Sequence, residues 1–196
     1  ILLGLVGSEM CIRDSNSTDQ SITVSITNVN DNSPVFTSGS TFSATENQLS
    51  IGTVTATDED GDSITFTVSG SELSITSAGV LSFVTAPDYE TKATYTATVT
   101  ASEGVNTTTQ DITVNVTDVN EAPVFTSNAT FSADENQTAI DTVTVTDAEG
   151  DDIVFTVSGS ELAITSAGVL TFVSAPDFET KSVYIATVTA SDGVNE

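Results

Sequence analysis

The 196-residue sequence has no histidine, no tryptophan, a single cysteine and only three lysine or arginine residues. With Cys11 alone, no intrachain disulfide can form. Without histidine or a second cysteine, the soft and borderline ligands that select zinc or copper are missing. No apolar run approaches the ~20 residues that span a bilayer. The scarcity of cations matters most. Against 28 Asp and Glu it leaves a formal net charge of −25. Such a chain repels nucleic acid and anionic membranes, so neither is expected as a direct partner, and it attracts cations.

What is present is written twice. Laid without a gap, residues 34–107 and 123–196 agree at 54 of 74 positions. FTVSGSEL (66–73, 155–162) and ITSAGVL (75–81, 164–170) are identical runs. The period is 123 − 34 = 89 residues, from Pro34 to Pro123. That is the size of one small β-domain, so the sequence reads as tandem units. TNVNDNSPVF (27–36) and TDVNEAPVF (117–125) punctuate them. The cysteine, the only methionine (Met10) and Arg13 cluster in GSEMCIRDS (7–15), which matches nothing downstream. EMCIRDS resembles a translated transposon end used in preparing sequencing libraries, so 1–15 is read as extraneous and unstructured.

Each unit reads as strands. Ile64, Phe66 and Val68 alternate with Thr65 and Thr67; Tyr95, Ala97, Val99 and Ala101 alternate with threonines; so do Ile112, Val114 and Val116 with Thr113 and Asn115. A period of two buries one face and leaves threonine on the other. Turn signals at Asp60-Gly61-Asp62, Ser69-Gly70-Ser71, Ser77-Ala78-Gly79 and Glu103-Gly104 break the strands. The expected fold is all-β: tandem seven-stranded Greek-key β-sandwiches. SITVSITN (21–28) matches DITVNVTD (111–118), so 16–32 is expected to carry the last strand and linker of a preceding unit. A complete unit is expected over 33–121, and a second, lacking its last strand, over 122–196. Pro34 and Pro123 stiffen the start of each unit. Phe36 and Phe125 are expected to plug its core, and Tyr89 and Phe178 to pack at a pole.

The acids fall in turns and strand ends: Glu46, Asp58, Asp60, Asp88, Glu90, Glu103 and Asp118. Loops of a sandwich gather at its two poles. Carboxylates crowded there repel one another unless a cation sits between them, and hard oxygen ligands favour Ca²⁺. Two acids at suitable separation could also cleave a glycoside. A catalytic pair would not need copying in both units, and no nucleophile elbow, phosphate loop or redox motif accompanies it, so an enzyme is not expected.

ATENQ (44–48), TDEDGD (57–62), PDYE (87–90), VTASEG (99–104) and TDVNEAPVF, in this order and largely repeated in the second unit, resemble the cadherin repeat in its bacterial and marine form. The resemblance covers about residues 19–196. It implies β-sandwiches strung end to end with Ca²⁺ at each junction. At 118–123 it implies a ligand set of Glu46, Asp88 and Glu90 from the upstream unit, Asp118, Asn120 and Glu121 from the linker, and Asp147, Glu149 and Asp192 from the downstream unit. A partial set at the upstream junction would comprise Asn30, the Asn32 carbonyl, Asp58, Asp60 and Glu103. The linker departs from the usual Asp-x-Asn-Asp-Asn-x-Pro: Asn28 replaces the leading acid in one copy, and Glu121 the second acid in the other. The implied function is a calcium-stiffened extracellular or cell-surface rod for adhesion, homophilic adhesion included, or spacing, in a membrane-anchored parent. Its partners would be neighbouring repeats, another copy, a cell-surface protein or a glycan. Without tryptophan, adhesion by a tryptophan-anchored exchanged strand is not expected. The alternative is a carbohydrate-binding β-sandwich module, against which stand 6% aromatics and no tryptophan. Five Asn-x-Ser/Thr sequons (Asn16, Asn106, Asn115, Asn128, Asn136) arise readily in a threonine-rich β-protein.

Overall fold

The computed structural model describes residues 20–194, so the extraneous segment expected at 1–15 lies outside the described residues. The described chain is all-β. In the first unit the strands are β1 (Val35–Phe36), β2 (Thr41–Thr45), β3 (Ser50–Thr53), β4 (Ala56–Thr57), β5 (Thr65–Val68), β6 (Leu73–Ile75), β7 (Val80–Phe83), β8 (Thr94–Ser102) and β9 (Thr107–Thr117). They form a four-stranded sheet in the order β2-β9-β8-β5, a three-stranded sheet β3-β7-β6, and the pair β1-β4. The seven expected strands become nine because two are broken. β1 pairs antiparallel with β4, whereas β2, four residues on, pairs in parallel with β9. The break at Ser38-Gly39-Ser40 lets the two halves of one strand pair with different partners, β4 and β9.

The alternation expected at β5, β8 and β9 buries the apolar face. Leu81, Val99 and Val114 are fully enclosed, with Val54 and Ile112 beside them. Phe83 meets Tyr95 edge-on at 5.0 Å, and Phe36 packs against Phe66 at 6.3 Å. Gly79 closes the β6–β7 turn at φ +87°, where a Cβ would lie 2.2 Å from the Val54 carbonyl oxygen. Only glycine admits that approach and that backbone angle without strain.

The second unit repeats the plan with β10 (Val124–Phe125), β11 (Ala139–Thr142), β12 (Val145–Thr146), β13 (Val154–Val157), β14 (Leu162–Ile164), β15 (Val169–Phe172) and β16 (Val188–Ser191). Among the described residues no strand stands where β9 stands in the first unit. The counterpart of β2, 130–134, is therefore unladdered, and β16 covers only the end of the stretch equivalent to β8. Burial follows. Phe155 and Leu162 are half-buried where Phe66 and Leu73 are buried, and Ala133 is exposed where Ala44 is buried.

Two expectations are corrected. Phe125 is 46% exposed and does not plug its core, because the second core is less closed. Phe178, 63% exposed, does not pack at the pole, and Tyr89 is also at the surface. Residues 21–28, expected as the last strand of a preceding unit, join no ladder among the described residues, and Ile22, Val24 and Ile26 stand exposed.

Candidate metal centre

The joint between the units is built around Glu46. It follows β2 directly, and its amide donates to the Thr117 carbonyl at the end of β9 (3.1 Å). This ties the loop to the linker. Its carboxylate is 4% exposed and accepts two backbone amides, Tyr89 N (2.9 Å) and Val119 N (2.7 Å). One buried acid thus binds the 87–90 loop and the linker together. Asn47 takes the left-handed φ of 60° that asparagine tolerates, and its amide donates to Glu121 Oε1.

Around this anchor the carboxylates converge. Glu46, Glu90 and Glu121 offer oxygens within 4.8 Å of one another, and so do Glu90, Asp118 and Glu149. Glu90 belongs to both groups, so upstream unit, linker and downstream unit all contribute. Asn120 donates to Asp192 Oδ2 (2.6 Å) and to the Glu121 carbonyl (3.1 Å). Asp147 accepts Asp151 N (2.9 Å) on Oδ1, while its Oδ2 and Glu149 Oε1 are buried without a hydrogen-bond partner.

The crowding is visible in the acidities. The Glu121 carboxyl is pushed up to about 7. The chief cause is its hydrogen bond with Glu149, which requires a proton between the two carboxyls; burial and the charges of Glu46 and Glu149 add to it, while Asn47 opposes. Glu90 is pulled down by its own backbone amide, yet burial and the charges of Glu46, Asp118 and Glu149 leave it above the usual range. Asp151 is raised by burial and by Asp147, Asp192, Glu149 and Asp152. Neither described lysine relieves this. Lys92 pairs with Glu72 (2.5 Å) and Lys181 with Glu161 (2.6 Å), away from the joint.

The opposite pole of the first unit holds the remaining candidates. Asp58, Asp62 and Glu103 approach within 4.8 Å, and Asp58 Oδ2 and Glu103 Oε2 are buried without partners. Asn106 donates to Asn30 Oδ1 (2.9 Å), the Asn32 carbonyl (3.0 Å) and Glu103 Oε1 (2.6 Å). Asp60 points instead at the linker. Its Oδ2 accepts Asn32 N (2.9 Å) and Asp31 N (3.1 Å), and these amides, Asn32 foremost, hold its carboxyl below the usual carboxylate pKa. At the joint, Glu149 Oε2 accepts Glu121 N at 3.3 Å.

Of the fourteen residues singled out from the sequence, Glu46, Glu90, Asp118, Glu121 and Glu149 fall in the two joint groups linked by Glu90, and Asp58 and Glu103 in the group at the opposite pole. Asp88 joins neither. Its two oxygens accept the amide and hydroxyl of Thr91 (both 2.9 Å), which caps a turn and holds the carboxyl below the usual carboxylate pKa. The sequence reading missed Asp62, Asn47 and Asn106. Asp62 carries a legible signal, the alternation Asp58-x-Asp60-x-Asp62; the asparagines do not. A further group, Glu135, Asp177 and Glu179, lies exposed one period beyond Glu46, Asp88 and Glu90.

These donors fit a hard divalent cation. They are oxygens, several are carboxylates without a counter-charge, and four buried oxygens at the two poles lack partners.

No family model matches the sequence. Among curated proteins, the mouse cadherin EGF LAG seven-pass G-type receptor 2 is 32% identical over 200 residues, covering 88% of this chain and 7% of the receptor. Chitinase A of Pseudoalteromonas piscicida is 31% identical over 145 residues, 71% of this chain and 18% of that protein. The chain thus spans a small part of the curated relatives it matches. Among solved structures, mouse cadherin-23 EC22-24 superposes with a TM-score of 0.53 at 25% identity, covering 85% of this chain and 62% of the other.

Proposed function

Because the chain belongs to the cadherin-repeat family, we propose that it is a calcium-binding segment of an extracellular, cell-surface adhesion array, in which the acidic joint sets the angle between successive repeats. The observation that carries this reading is that Glu46, Glu90 and Glu121 offer oxygens to one group and Glu90, Asp118 and Glu149 to a second, Glu90 being common to both, with Glu149 Oε1 buried and unpartnered. Glu46 stays bound to two amides and orients the loop. Glu90 is shared between the two oxygen groups. Glu121 gives up the proton it shares with Glu149. Asn120 and Asp192 connect the linker to the downstream unit. A bound Ca²⁺ supplies the missing positive charge and about six to eight coordination positions.

Calorimetric titration with Ca²⁺, paired with small-angle scattering in calcium and in chelator, tests the proposal. Saturable binding, a higher Tm and a narrower distribution of inter-unit angles in calcium are expected. Identical profiles in both conditions would reduce the acids to a solubilising coat.

A further inference from the structure

At the pole of the first unit opposite the joint, two acids each have one oxygen anchored and one left over. Asp58 Oδ1 accepts the amides of Asp60 (2.9 Å) and Asp62 (3.3 Å), while its Oδ2 is buried without a partner. Glu103 Oε1 accepts Asn106 Nδ2 (2.6 Å), while its Oε2 is buried without a partner. Loop backbone thus anchors the first acid and a single side chain the second. Asn106 stands where it can do this because it closes the turn 103–106. There the Glu103 amide donates to the Asn106 carbonyl (3.3 Å) and Gly104 takes φ +101°. The β8–β9 ladder, in register from Ser102↔Thr107 to Thr94↔Asn115, fixes that turn. The same Nδ2 also reaches the linker, at Asn30 Oδ1 (2.9 Å) and the Asn32 carbonyl (3.0 Å). An amide has two protons for these three oxygens, so the oxygens are gathered about one nitrogen and share it. At the joint the equivalent linker residue, Asn120, does the reverse: its own Nδ2 donates to Asp192, the counterpart of Glu103. Asn106 therefore turns the oxygen of Asn30 toward Glu103, where Asn120 presents its nitrogen.

We propose that Asn106 is a positioning residue of this pole, holding Glu103 and the linker asparagines in the arrangement that receives a divalent cation. The proposal rests on the calcium-binding reading above. Glu103 belongs to the group with Asp58 and Asp62, and with Oε1 occupied by Asn106 its Oε2 is the oxygen left for a ligand. By holding Asn30 Oδ1 and the Asn32 carbonyl, Asn106 brings linker oxygens to the same place with no cation required. A carbonyl oxygen that accepts one N–H keeps a second lone pair, so both linker oxygens can still act as ligands. A neutral donor suits the task. A lysine there would supply the missing positive charge itself, whereas an amide orients the acid and leaves its charge in place. Outer partners of this kind fix the orientation of ligands and are worth about 10–100-fold in metal affinity.

Proton–nitrogen correlation spectra of the full chain, in chelator and through a series of calcium concentrations, test it. Gly61 and Gly104 report this pole and Gly150 the joint. In chelator the side-chain amide protons of Asn106 should already exchange slowly, and they should stay slow in calcium. Asn106→Ala should raise the calcium midpoint read at Gly61 and Gly104 about ten-fold or more and leave the midpoint at Gly150 unchanged. The spectra follow folded molecules, so a residue that served stability alone would not move that midpoint. An unchanged midpoint at Gly61 and Gly104 in the variant, a freely exchanging Asn106 amide in the parent, or calcium shifts at Gly150 alone would overturn the proposal and leave the calcium reading standing. A parent without calcium shifts at either pole would overturn both.

Discussion

Glu46 shows how much one side chain can hold. Its carboxylate carries two backbone amides in a buried setting, so Glu46→Ala should cost the first unit about 2–4 kcal/mol, read by urea denaturation. Glu135, its counterpart, is exposed and accepts one amide, Phe178 N at 3.0 Å; Glu135→Ala should cost under about 1 kcal/mol. Glu121 gives a pH signature. Its carboxyl is raised in the folded chain to about 7, so the folded state holds a proton that the unfolded state has lost. Stability in chelator should therefore fall as pH rises from about 5 to about 8, and Glu121→Gln should flatten that slope in Tm against pH. Calcium binding near neutrality should release a proton, seen as a buffer-dependent calorimetric enthalpy. Glu90→Ala should weaken calcium binding at the joint several-fold more than Glu179→Ala, because Glu90 is common to both joint clusters. The residue types of this site were legible in the sequence because they recur every 89 residues in turns. Their division of labour was not. Nothing in PDYE distinguishes Glu90, which joins the cluster, from Asp88, which caps a turn with Thr91.

The strands were legible where apolar and threonine residues alternate, as in β5, β8 and β9, because a half-buried sheet face imposes that period. The split of the first strand was not, since it depends on which sheet each half finds. The state of a strand also depends on its neighbours. Phe131 and Ser132 keep the β2 pattern, yet 130–134 forms no ladder among the described residues. Trimming β9 should reproduce part of that loosening. Val114→Ala, in a fully enclosed position, should cost the first unit about 2 kcal/mol and raise amide exchange in β2. The β6–β7 and β14–β15 turns are stricter. At Gly79 and Gly168 the backbone angle is +87° and +79°, and a Cβ would meet a backbone carbonyl oxygen at 2.2 and 2.1 Å. Gly79→Ala and Gly168→Ala should each cost more than about 2 kcal/mol by thermal denaturation.

The chain taken entire is an array whose described lysines are all engaged within their own unit. Lys92 lies 4.4 Å over the Tyr95 ring and Lys181 4.5 Å over Tyr184. Among the described residues the acidic junctions consequently have no lysine or arginine as counter-charge. The 89-residue duplication made this layout legible; the strength of each junction depends on distances that spacing does not carry. The parallel pairing of β2 with β9 has a consequence in time. Thr41 meets Thr113, 72 residues later (113 − 41). A nascent unit can form its early hairpins as they emerge, but its sheet stays open until its final strand has been synthesised. Closure over so long a loop is the slow event of an all-β fold. A ribosome making tandem repeats would thus lock each one only as it reached the following linker, so the carboxylates of a joint would meet after the unit behind them had already set.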